Sequence, residues 1–259
     1  MPLARADLEL LLRTRRLDRT LTTALPSPDP RDEAAVAPTG ITALDARLAG
    51  GFPRGQLSEV AGPRSSARAS LMLQLLAAAT RRGELVAIVD VLDMFDAPSA
   101  AAAGVDLERL LWIRGHVVVN PGMCRDLNQR ALEQAVRALT LVLQAGNFGI
   151  VVFDAAEAPA MALKQLPFTT WLRLQRMIEG SQTVCVLMGP EPMARSSAGL
   201  TIKLGIRDSG FGIRAGLGIR QTSLLFEGFE RQACVVRART GAHEEAAVAF
   251  STAAAHHVC

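Results

Sequence analysis

At 259 residues the chain has room for one sizeable α/β domain with appendages and is short for two full domains. Its 49% hydrophobic and 20% charged content excludes disorder throughout, and 4% aromatics with no tyrosine excludes a broad base-stacking platform. The formal charge of +3 permits nucleic-acid contact without arguing for it, because Lys164 and Lys203 are the only lysines and an Ala- and Arg-rich chain more often reflects a GC-rich coding sequence.

Residues from about Leu3 to Leu25 carry Leu8, Leu11, Leu12 and Leu21 among charged residues, an amphipathic helical pattern. That stripe must bury itself on its own core or on another protomer, and Leu8, Leu11 and Leu12 are the candidates for self-association. Pro26-Ser27-Pro28-Asp29-Pro30 then breaks any helix and opens a polar linker to Pro38. The spacing predicts a short strand at Leu57–Ala61, a helix at Leu71–Thr80 and a buried strand from Leu85 to Val89 ending at Asp90. A strand at Leu111–Ile113 and a long helix over Asn128–Gln144, stopped near Gly146, come next. Ile150 to Phe153, closed by Asp154, reads as a central parallel strand. A helix at Thr170–Glu179 and a buried strand at Thr183–Met188 complete a β-α-β-α-β-α-β order, which dictates an α/β sheet with right-handed crossovers.

Beyond Gly199 the texture alternates, at Leu200–Arg207 and Ala233–Arg239, predicting antiparallel strands added at one sheet edge. The division expected is therefore an N-terminal helix (1–25), a linker (26–38), a core (39–240) and a flexible Ala/His-rich tail (241–259). The four cysteines show no C-x-x-C spacing; Cys185 and Cys234 fall in apolar runs as small buried residues, and no metal site is expected. With no signal peptide or long apolar span, a soluble, reduced, cytoplasmic protein is expected.

The stretch Gly62 to Ser70 reads G-P-R-S-S-A-R-A-S against the phosphate-binding pattern G-x-x-x-x-G-K-[S/T]. Gly62 survives, Ala67 stands at the second glycine, Arg68 at the lysine and Ala69 at the hydroxyl that holds Mg²⁺. Together with Gly40-Ile41-Thr42-Ala43-Leu44-Asp45, Asp90 through Asp96, Gly104-Val105-Asp106 with Leu110-Leu111, and Val151–Asp154, this loop resembles the core of the RecA recombinase family in order from about Thr39 to Thr240. The resemblance implies a mainly parallel central sheet flanked by helices. It also implies an ATPase that forms filaments on single-stranded DNA, and here the pattern departs. The family's water-activating glutamate falls on Leu92, with Asp93 one residue away; Asp154 matches the aspartate of the second nucleotide motif without a hydroxyl companion at Ala69, although Ser70 could serve in a shifted geometry. The segment Gly189-Pro190-Glu191-Pro192 replaces the family's second DNA-binding loop, leaving Arg195 as its one basic residue.

The altered loops resemble the ImuA family. That resemblance implies a non-catalytic accessory of SOS mutagenesis and translesion synthesis, partnered by an ImuB-like polymerase homologue, an error-prone replicative-type polymerase, DNA and RecA itself. No enzyme activity and no cofactor are expected on that reading. The old nucleotide pocket (Gly62, Arg68, Ser70, Asp154) either binds ATP weakly or is filled by an Arg68–Asp154 ion pair. The alternatives are a DNA-dependent ATPase using Arg68, Ser70, Asp93 and Asp154 in rearranged geometry, and a regulator with no DNA contact. Candidate DNA or partner contacts are Arg173 and Arg176, on one helix face at i, i+3, with Arg195, Arg207, Arg214 and Arg220; the plain alternatives are a solvated helix face for the first two and an edge hairpin with outward arginines for the last three.

Overall fold

Apolar five-residue runs need burial on both sides, and in the computed structural model, which describes residues 35–115, 125–205, 228–239 and 247–253, they become the inner strands of one sheet. A small antiparallel ribbon, β1 (Val36–Ala37) with β2 (Phe52–Pro53), flanks α1 (Thr42–Arg47). There follow β3 (Leu57–Ala61), α2 (Arg68–Arg81), β4 (Val86–Asp90), α3 (Ala97–Ala102), β5 (Leu110–Arg114) and α4 (Arg125–Ala145). After these come β6 (Ile150–Asp154), α5 (Ala160–Gln165), α6 (Phe168–Ile178), β7 (Val184–Gly189), β8 (Leu200–Gly205), β9 (Gly228–Ala238) and β10 (Ala247–Ala253). The sheet order is β10-β9-β8-β3-β7-β6-β4-β5. From β8 to β5 every neighbouring pair is parallel, and β9 and β10 extend one edge antiparallel. The α/β architecture expected from the sequence is the one observed.

Alternation along each strand divides the core between the two faces. Ile88, Val152 and Val186 pack with Leu71, Leu75 and Leu76 of α2. Val89, Val151 and Phe153 pack on the other face with Leu132 and Leu139 of α4 and Trp171 and Leu174 of α6. Gly146, at φ +70°, ends α4 in the left-handed conformation that glycine adopts freely. Cys185 is fully buried and its thiol is pushed up to about 12 by burial, so it packs as a small apolar residue.

Two details differ from the sequence reading. β8 is not an antiparallel addition: Ser58–Ala61 pairs with Leu200–Lys203 in parallel, because the turn through Arg195–Ser197 carries the chain back to the start of the sheet. The segment assigned to a flexible tail contains β10, which pairs with β9 across seven residues from Ala247↔Cys234 to Ala253↔Gly228. An open edge strand supplies unpaired backbone groups, and that demand overrides the weak strand signal of an alanine-rich segment. Leu8, Leu11 and Leu12, and the linker as far as residue 34, lie outside the described residues, whereas the end of the expected linker carries β1. Among the described residues no helix is long and apolar enough to cross a membrane.

Candidate phosphate-binding site

β3 delivers the chain into residues 62–67 and α2 begins at Arg68, the strand–loop–helix order that a phosphate-binding loop requires. Gly62 donates its N–H to the Gly189 carbonyl at 3.2 Å. A Cβ there would lie 2.6 Å from the Leu204 carbonyl oxygen and 2.7 Å from Ser66 Oγ, so the surviving glycine is a steric requirement of the loop running against β8. Ala67 holds φ +69° despite its Cβ. The backbone has kept the turn that the replaced glycine would make without strain.

A cavity of about 540 Å³ opens beside this loop, at the carboxyl ends of the parallel strands, where open α/β sheets bind ligands. Arg68, Ser70 and Asp154 all line it, with Asp96 and Glu157 as further carboxylates. Gly62 is not part of its lining.

Asp154 sits at the end of β6 directly across from Asp90 at the end of β4. Asp90 accepts hydrogen bonds from Met94 N at 3.0 Å, Phe95 N at 2.7 Å and Trp112 Nε1 at 3.3 Å, which brings Met94, Phe95 and Asp96 into the cavity wall. Among the described residues Asp154 accepts only the Ala156 N–H, at 3.0 Å. Burial, with the Asp90 and Glu157 carboxylates adding to it, outweighs that hydrogen bond and the Arg68 charge and pushes Asp154 up to about 6.

The expected Arg68–Asp154 ion pair is not made. Arg68 donates from Nη1 to the Ala156 carbonyl at 3.0 Å and from Nη2 to Glu157 Oε1 at 3.3 Å. The Asp154 carboxylate accepts from its own chain two residues on, whereas Glu157, in the following turn, reaches the guanidinium. Arg64 donates to Glu157 Oε2 at 2.5 Å, so one carboxylate holds two arginines. Burial lowers the Arg68 pKa, Glu157 and Asp154 oppose this, and the guanidinium stays a cation. Glu157 is the residue that sequence reasoning missed; its signal was an acid three positions past a strand-end aspartate.

The other predicted residues fall elsewhere. Leu92 is buried in the core on the α4 face. Asp93 is bound by Arg114 through two contacts of 2.8 Å, which hold its carboxyl below the usual range, and it does not enter the cavity wall. Ala69 has no side-chain oxygen to offer a divalent cation, and no three His, Cys, Asp or Glu side chains converge among the described residues. Ser70 and Asp154 alone do not fit a metal seat. Arg173 and Arg176 share the exposed face of α6, opposite the buried Trp171 and Leu174. Arg195 is exposed at φ +51° in the turn after β7 and borders a second, smaller hollow with Lys164 and Glu191. Its carbonyl accepts from Arg237 Nη1 at 2.6 Å, and the Ser196 carbonyl accepts from Arg239 Nη2 at 2.5 Å. Arg207, Arg214 and Arg220 lie outside the described residues.

The model of the RecA N-terminal domain matches residues 24–163, more than half of the chain, and takes in the whole loop, both strand-end aspartates and Glu157. This chain belongs to the RecA N-terminal domain family. It is similar to Protein RecA of Clavibacter michiganensis, 37% identical over 131 residues, which is 50% of this chain and 32% of that protein. To Protein RecA of Prochlorococcus marinus it is 46% identical over 121 residues, 47% of this chain and 28% of that protein. The matched stretch thus spans about a third of the length of these relatives. The crystal structure of the RadB recombinase shares the fold, with a TM-score of 0.54 at 19% identity over 83% of this chain and 96% of that one. Family membership overturns the expectation that the chain is no enzyme. The replaced loop residues do not remove the chain from the RecA N-terminal domain family, and they leave its cavity open.

Proposed function

We propose that this RecA-family chain binds a nucleoside triphosphate in the cavity beside α2 and hydrolyses it slowly when engaged with DNA, in damage-induced mutagenesis of the ImuA type. The observation that carries the reading is the convergence of Arg68, Ser70 and Asp154 on one opening of about 540 Å³ at the family's nucleotide position. Arg68 supplies a forked donor for phosphate oxygens, the N-terminal turn of α2 supplies N–H groups and a positive dipole end, and Ser70 supplies a hydroxyl. Asp154, near 6, is poised to take a proton from water at neutral pH, a task that buried Leu92 and the Arg114-bound Asp93 do not share. Turnover is slow because the family's separate glutamate is gone.

DNA meets the exposed arginines, Arg173, Arg176 and Arg195, none of which has a carboxylate partner among the described residues. An ImuB-like polymerase homologue, an error-prone polymerase and RecA are the protein partners, in the cytoplasm. The test is phosphate release by pure protein with and without single-stranded DNA. DNA should stimulate release, and Asp154→Ala should lower it by about 10²-fold or more. Release that DNA does not change, or that survives Asp154→Ala, would sink the proposal. Capture of the polymerase-like partners by the full chain tests the cellular role separately.

A further inference from the structure

Glu157 is an odd feature for a phosphate site: an acid whose carboxylate holds the two arginines that a phosphate would seek. Its Oε2 accepts from Arg64 Nε at 2.5 Å and its Oε1 from Arg68 Nη2 at 3.3 Å. Side-chain exposures rank the two contacts. Arg64 is 80% exposed, so its pair with Glu157 is screened and weak; Arg68 is 6% exposed, and a guanidinium at that depth requires a counter-charge. The Ala156 carbonyl satisfies one donor of Arg68, and Glu157 provides the only anionic oxygen within hydrogen-bonding distance of it among the described residues.

Arg64 and Glu157 are placed to move away from Arg68, which α2 holds. Arg64 lies in the turn that precedes α2, and Glu157 in the turn between β6 and α5; neither sits on a regular element. Both line the cavity beside Arg68. A phosphoryl group carries more charge than a carboxylate and offers the same pair of oxygens to a guanidinium fork, so it can replace Glu157 on both arginines without leaving Arg68 uncompensated.

We propose that Glu157 is an internal phosphate mimic, a latch that holds Arg64 and Arg68 until the phosphates of a nucleotide displace it. The latch sets the affinity of the site: nucleotide must outcompete a tethered anion, and Glu157 swings toward solvent when it does. The inference rests on the phosphate-binding reading of the cavity, and the two can fail separately.

The experiment is calorimetric titration of ATP into the full chain and into Glu157→Gln, Glu157→Asp and Arg68→Ala. Glu157→Gln keeps an oxygen for Arg68 but removes the competing charge. Glu157→Asp keeps the charge but is one methylene too short to span both arginines, and it serves if the glutamine variant does not fold. ATP should bind about tenfold tighter to either Glu157 variant and be lost with Arg68→Ala. Unchanged or weaker binding by a folded Glu157 variant, with the parent still binding through Arg68, would overturn the latch and leave the nucleotide site standing. No binding to the parent or to any variant would remove both.

Discussion

Ala67 carries a methyl group through a left-handed turn at the mouth of α2, and for a residue with a Cβ this conformation costs about 1–2 kcal/mol. Ala67→Gly should therefore stabilise the protein by about 1 kcal/mol, less the small packing loss of one partly buried methyl. Chemical denaturation measures it; an unchanged or lowered midpoint would show that the turn is not strained. Asp154 makes a second prediction at this scale. Its pKa rises from 3.8 to about 6 in the fold, so the folded state favours the protonated acid. The stabilisation is complete below pH 4 and lost as pH climbs toward 6, a total of about 3 kcal/mol at most. Asp154→Asn keeps an acceptor for Ala156 N and carries no charge. Unfolding free energies across pH 4–7 should fall more steeply for the parent than for this variant, and parallel curves would refute the assignment. Of the site itself, the loop and Asp154 were legible because the motif fixes their spacing. The partner of Arg68 was not, since Glu157 is 89 positions away in sequence and only the fold of the β6–α5 turn decides which carboxylate reaches.

Among the elements, the turn after β7 depends on one buried acid. Glu59, in the middle of β3 and 2% exposed, accepts from Met193 N at 2.6 Å, from Ala194 N, and from Thr201 Oγ1 at 3.1 Å. Those bonds shape the segment that carries Arg195 and returns the chain to start β8 alongside β3. Sequence alone marks Glu59 only as a polar interruption of an apolar strand, because its donors lie more than 130 positions away. Strands buried on both faces are easily read from their apolar runs; the direction of β8 is not, since it depends on how this turn is pinned. Glu59→Gln keeps the shape but weakens charge-assisted bonds and places an NH₂ against N–H donors. It should cost about 2 kcal/mol and speed amide exchange at Met193 and Ala194. Exchange unchanged at those two amides would show the turn to be held by other contacts.

Among the described residues the main sheet is parallel from β8 to β5, and its two ends are finished differently. One edge is β5, and there Arg114 lies 4.7 Å over the Trp112 ring while also binding Asp93, so a charged, capped surface ends the sheet. At the other end β9 would expose an eleven-residue edge if β10 were not laid along it. The alanine-rich segment therefore has a job that its composition hides: it pairs along the outer side of β9 from Gly228 to Cys234 and so supports the strand that covers β8, next to the phosphate loop. A chain ending at Thr240 should lose this cover. It should melt at a lower temperature and, through the bare edge of β9, associate at concentrations where the parent keeps its own sedimentation coefficient. Because the loop at Gly62 packs on the Leu204 carbonyl of β8, the truncated chain should also bind ATP more weakly than the parent, although no residue of the cavity has been removed. Equal melting, sedimentation and ATP affinity in the two chains would show that β10 covers the edge without supporting the sheet.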